Sequence, residues 1–146
     1  MSIAWWVVDA LDKVFQESTR PVQARTRIEL WAGRNETEDA QLAFRVPAKQ
    51  RGQRATFAFR PLRGPRGQTI AAGQCRAAWE WFTYVHANPP ANADPATYER
   101  KAPAFFPDAF LEEPEVGLRG GVTQPVWISV QVPAETPPGT YQGRVT

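Results

Sequence analysis

Apolar and polar residues alternate with a period of two along much of the chain, most cleanly near its end. Val126, Ile128, Val130 and Val132 fall on one side and Trp127, Ser129 and Gln131 on the other, the signature of a strand with one buried face. Pro133, Pro137 and Pro138 cannot donate to a ladder and mark a connection, and Gly139 permits a positive φ within it. Tyr141, Gly143 and Val145 restart the alternation and run into Thr146. The expectation is strand, proline-stiffened turn, strand, with the last strand continuing into a longer chain from which this module was cut.

Upstream, Trp5 to Phe15 fits a helical face through Val7, Val8, Leu11, Val14 and Phe15, but its aromatic and β-branched start favours a short strand followed by a turn. Residues 26–32 alternate, with Ile28 and Leu30 inward and Glu29 and Trp31 outward. Gly33 to Glu36 supplies a turn, and Ala40, Leu42, Phe44 and Val46 line a second strand, so the two read as a hairpin. Phe57 and Phe59 share one side of a strand over 56–62. Residues 75–87 read as a long strand with Trp79, Trp81, Thr83 and Val85 on one face. Ala78, Glu80, Phe82, Tyr84 and His86 occupy the other, so both faces are aromatic and at least partly covered.

Between 88 and 121 no strand pattern stands out. Asp94 and Pro95 read as a helix N-cap and first helical residue, and the rest reads as one long irregular loop. About seven strands, proline and glycine turns and almost no helix predict an all-β fold. It is an antiparallel β-sandwich, immunoglobulin-like or jelly-roll-like, filling 1–146 as a single domain with the long loop at 88–121.

Composition narrows the function classes. Basic and acidic residues number 17 and 15, a formal charge of +2, too balanced for a nucleic-acid partner without a recognisable module. Cys75 is the only cysteine, so no internal disulfide forms and no redox compartment is implied. Asp9 and Asp12 interrupt the apolar start too early for a signal peptide or a membrane span. If Met1 is the native start the chain is expected in the cytoplasm, and otherwise its compartment is open. His86 and Cys75 are too few for a zinc site, and no cofactor is expected. A calcium ion at Asp108 is not requested by any spacing.

Several segments occur together in order: Trp6 through Phe15, Arg34-Asn35-Glu36-Thr37-Glu38 with Gln41, Phe106-Pro107-Asp108, Pro125 through Val130, and Val132-Pro133 through Pro138-Gly139-Thr140-Tyr141-Gln142-Gly143. The set resembles the N-terminal β-sandwich domain of large bacterial glycoside-hydrolase-like proteins, similar to the β-N-acetylgalactosaminidases of glycoside hydrolase family 123 and their relatives. The resemblance spans nearly the whole chain, though 63–74 shows nothing that matches. It implies that chemistry resides in a following (β/α) barrel, where an Asp-Glu pair assists attack by the substrate's own acetamido group. No Asp-Glu dipeptide occurs here. The expected role is therefore a non-catalytic accessory domain that supports the barrel and shapes its substrate cleft, with no catalytic residue of its own. The alternative is a free-standing carbohydrate-binding module.

Individual residues divide accordingly. Glu36, Glu38 and Asp39 sit beside a turn with Arg34, and an ion pair of Glu36 or Glu38 with Arg34 is favoured over an acid/base pair, since catalytic carboxylates face each other from separate elements. Asn35-Glu36-Thr37 matches a glycosylation acceptor, a common accidental match. Asp108 is expected to cap backbone amides of the long loop. Trp31, Trp81, Tyr84 and Trp127 are the candidate sugar platforms, because sugar rings present C–H faces that stack on exposed aromatics. The competing role for the same rings is packing under the loop or against the barrel.

Overall fold

A computed structural model describes residues 2–88, Ala96 and 98–146. Among these, nine strands form: β1 (Ala4–Val8), β2 (Thr37–Arg45), β3 (Gln53–Thr56), β4 (Leu62–Arg63), β5 (Thr69–Ile70), β6 (Cys75–Val85), β7 (Ala104–Leu111), β8 (Glu115–Leu118) and β9 (Thr123–Gln131). Five of them make one antiparallel sheet in the order β1-β2-β9-β6-β7. The pairs β3–β8 and β4–β5 belong to the second layer of an antiparallel β-sandwich.

The alternation in β9 is what places it at the sheet's centre. Val126 and Ile128 are buried and join Val7, Leu42 and Trp79 against Val46 and Leu118 in the main core, to which Phe57 and Phe59 add their half-buried rings. Phe57 lies 4.8 Å from the Trp79 ring. The opposite face of the sheet is covered as well, because residues 9–18 cross it as a strap and bury Val14 against Trp6 and Ala43. Neighbouring residues of β1 and β2 are consequently buried on both sides, which explains why β2 reads as four successive buried positions rather than as a simple alternation.

Pro125 sits fully buried inside β9 and has no N–H to offer a neighbour. The β6–β9 ladder ends at Trp79 opposite Val126, and the Gln124 side-chain amide donates to the Glu80 carbonyl at 2.7 Å in place of the missing N–H. Beyond that point β6 continues with β7 alone, as a two-stranded extension with a bulge opposite Trp81 and Phe82.

Two sequence expectations are corrected and a third is left open. Residues 26–32 form no strand; Ile28 and Leu30 are half-buried, Ile28 against the main core, but β2 takes β1 and β9 as its partners, and Arg25 bridges to Val7. The stretch 88–121 is not irregular throughout, since β7 and β8 lie within it. Pro107 and Pro114 and the exposure of an edge strand conceal the period there. The proposed helix start at Asp94 and Pro95 lies outside the described residues.

The chain's last segment does not pair back on β9. It runs antiparallel to 58–63 in the second layer, through Phe59–Val145 and Arg63–Gln142 bridges and backbone bonds between Ala58 and Thr146 and between Arg60 and Arg144. The Pro-Gly-x-Tyr-x-Gly element has a packing reason. The Tyr141 ring packs against Gly64, where a Cβ would come within 2.5 Å of it, and a Cβ on Gly143 would meet Leu62 Cγ at 2.9 Å. Only hydrogen at these two positions lets the segments approach. The Tyr141 hydroxyl closes the clamp by donating to the Pro137 carbonyl at 2.9 Å.

Candidate functional site

The Arg34–Glu38 element is a turn-builder. Asn35 adopts a positive φ of 62°, a conformation Asn tolerates better than most residues. The Glu36 carboxylate accepts from the Gly33 N–H at 2.6 Å. Val132 then locks the turn to the end of β9, accepting from Asn35 N and donating to the Glu36 carbonyl, both at 2.8 Å. The expected ion pair with Arg34 does not form; Arg34 is exposed, and the salt bridges among the described residues lie elsewhere. One residue further on, the Ser129 hydroxyl donates to Asp39.

Gln41 carries more than its place in the motif suggested. It is 2% exposed, and its amide nitrogen points at the carbonyls of Asp9, Ala10 and Asp12 at 2.9, 3.2 and 2.7 Å. An NH₂ has two protons, so it shares them among the three acceptors and pins the strap's first turn to the sheet. The other end of the strap is held by Arg45, which donates to the Gln16 and Ser18 carbonyls, and by Thr123 N–H to Gln16 O at 2.8 Å.

Glu80 was not singled out by the sequence. It is 6% exposed, on the strap-covered face of β6. Burial pushes its carboxyl up from 4.5 to about 7, opposed by the nearby Lys13 charge, and its Oε1 is buried without a hydrogen-bond partner. Lys13 itself reaches the Pro107 carbonyl at 3.5 Å. A buried acid with raised proton affinity is a pattern found in active sites, but a carboxyl closed beneath a strap has no access to a substrate.

The four candidate aromatic platforms are not brought together. Trp31 is 81% exposed and lies outside any strand. Trp81 and Tyr84 are exposed on the β6–β7 extension, and Tyr84 contacts the exposed Phe105 at 5.0 Å and His86 at 4.8 Å. Trp127 is half-buried on β9 and is met at 5.2 Å by the exposed ring of Phe110. Asp108 is the extra residue of the β7 bulge, exposed, and its carboxylate caps no amide among the described residues. Cys75 is a buried thiol whose pKa burial raises. Among the described residues no group of His, Cys, Asp and Glu is arranged to hold a metal ion.

Together these features define a β-sandwich module whose distinctive residues build turns, pin a strap and clamp two segments of the second layer together. The chain belongs to the glycoside hydrolase 123 N-terminal domain family, whose model matches residues 10–146. Such a domain is one part of a glycoside hydrolase. Its fold is similar to that of a family 123 glycoside hydrolase from Clostridium perfringens, a structure that bears on glycolipid glycan hydrolysis, with a TM-score of 0.73 and 12% identity. The superposition covers 99% of this chain and 24% of that one, so the chain spans about a quarter of that enzyme's length. No curated protein matches the sequence.

Proposed function

We propose that this domain is the non-catalytic accessory sandwich of a glycoside hydrolase, supporting a downstream (β/α) barrel and forming one rim of its substrate cleft. The observation that carries this reading is the β6–β7 extension. Trp81, Tyr84 and Phe105 are 48%, 44% and 44% exposed, on a two-stranded ribbon that projects past the end of the β9 ladder. Tyr84 and Phe105 meet on one face of the ribbon at 5.0 Å while Trp81 projects from the other; exposed rings held on both faces of a two-stranded ribbon mark a surface that a partner covers. The family's enzymatic context supports the barrel as that partner. The alternative, a free-standing carbohydrate-binding module, draws support from Trp31, which is 81% exposed and stacks on no ring among the described residues, as a sugar platform would.

Hydrolysis of aryl glycosides by the purified chain tests the accessory role. No turnover above the uncatalysed rate is expected. Turnover abolished by Glu36→Gln, Glu38→Gln or Glu80→Gln would overturn the reading. Saturable glycan-array binding lost in Trp31→Ala would favour the module instead.

A further inference from the structure

β6 is eleven residues long, but its two edges are unequally used. On one side Cys75 through Trp79 pair with β9. On the other, β7 joins only from Trp79, opposite Leu111, and runs toward Val85. Residues 75–78 therefore present a backbone edge that no strand among the described residues covers. Past Leu111 the chain turns away through Glu112, Glu113 and Pro114 to reach the second layer, and Trp79 Nε1 anchors the crossing by donating to the Glu113 carbonyl at 3.1 Å.

A cleft of about 520 Å³ opens along this edge. Phe57 and Phe59 of the second layer form one wall, Phe110 and Trp127 the other, and Glu112 and Glu113 line it where the chain leaves β7. Uncovered strand edges are normally blunted by proline, a bulge or inward charge. Here the proline and the bulge lie on β7, and the open stretch carries only the exposed Arg76 as its charged residue.

We propose that this cleft receives an extended peptide as an added strand beside 75–78, in the place β7 vacates. Backbone bonds to β6 would hold it, and its side chains would alternate between the Phe57–Phe59 wall and the Phe110–Trp127 wall. The two glutamates select a segment with a basic residue at their end of the cleft. The occupant comes from the remainder of the glycoside hydrolase, most of which lies outside this chain if the parent resembles the enzyme of which it spans 24%. A sugar fits less well, since the Phe110 ring is tilted by 51° against Trp127 and the pair offers no flat platform. The inference rests on the accessory reading only for the occupant's source; turnover by the isolated chain would defeat that reading and leave the peptide titration intact.

The test is an NMR titration of the ¹⁵N-labelled chain with the capped hexapeptide Lys-Val-Thr-Val-Thr-Lys and with the same peptide N-methylated at alternate residues. The unmethylated peptide is expected to shift the Cys75 and Ala77 amides, which face the open edge, and the Trp79 indole N–H saturably, with no change at Trp31. N-methylation should abolish the effect, and Glu112→Lys with Glu113→Lys should weaken it several-fold. Absence of a saturable shift, or equal binding of the methylated peptide, overturns the proposal. So does the same response to galactose- or N-acetylgalactosamine-containing oligosaccharides, which would make the cleft a sugar site. Concentration-dependent dimerisation that shifts these amides without peptide would assign the edge to a second copy and equally overturn it.

Discussion

Replacing Glu80 by glutamine removes an ionisable group from a place that disfavours its charge while keeping its shape and most of its volume. Burial beneath the strap raises the carboxyl from 4.5 to about 7, with Lys13 opposing the rise. The folded chain therefore holds this proton more tightly than the unfolded chain does. The sign follows from linkage: the stabilisation is fully present below about pH 4.5 and is lost as the pH rises through about 7. At 1.36 kcal/mol per pH unit of difference, the loss amounts to about 3 kcal/mol once the carboxyl is ionised in both states. Glu80→Gln should abolish that loss. Urea unfolding followed by tryptophan fluorescence at pH 5 and pH 8 checks it. The variant should be close to wild type at pH 5 and more stable at pH 8, with a flatter profile between. A variant less stable than wild type at pH 8 would mean that the attraction of Lys13 outweighs burial, the opposite of what the geometry predicts.

Two further perturbations probe the strap and the clamp within the second layer. Gln41→Ala strands three strap carbonyls in the interior and should destabilise by about 2 kcal/mol, read from the urea midpoint; a change under about 0.5 kcal/mol, the range of neutral surface substitutions, would show that the amide does not pin the turn. Gly143→Ala drives a methyl into Leu62 and should cost about 1–3 kcal/mol, with hydrogen exchange accelerating at Ala58, Arg60 and Thr146 ahead of the β9 amides; uniform acceleration across the sandwich would contradict a local clamp.

The strands read most clearly from the sequence lie inside the sheet, although the edge strand β1 was also expected from its aromatic and β-branched start. β9 announced itself through Val126, Ile128 and Val130, and the first half of β6 through Trp79. Alternation alone misled at 26–32, because Ile28 and Leu30 can turn inward from a chain that makes no ladder. The reverse happened at β7, an edge strand with Pro107 at its bulge and aromatic residues on exposed positions, where no contrast between faces remained to be read. The terminal alternation was real, but its partner was not the adjacent strand; pairing with 58–63 depends on Tyr141 meeting Gly64, a long-range fit that period cannot reveal. Among the site residues, Gln41 was flagged by resemblance and its work was hidden, since three carbonyls converge on it only after the strap folds. Glu80 was invisible for the same reason: alternation puts it opposite Trp79 and Trp81, but only the strap makes that face an interior.

If the sandwich supports a barrel, the aromatic ribbon of β6 and β7 is covered in the parent glycoside hydrolase. Hydroxyl-radical footprinting of Trp81, Tyr84 and Phe105, in the isolated chain and in the whole glycoside hydrolase that carries it, measures that directly, with Trp31 as the internal reference. Strong protection of the three ribbon residues in the whole enzyme, with Trp31 labelled alike in both, is the predicted result. Equal labelling of the ribbon in the two forms would contradict the claim.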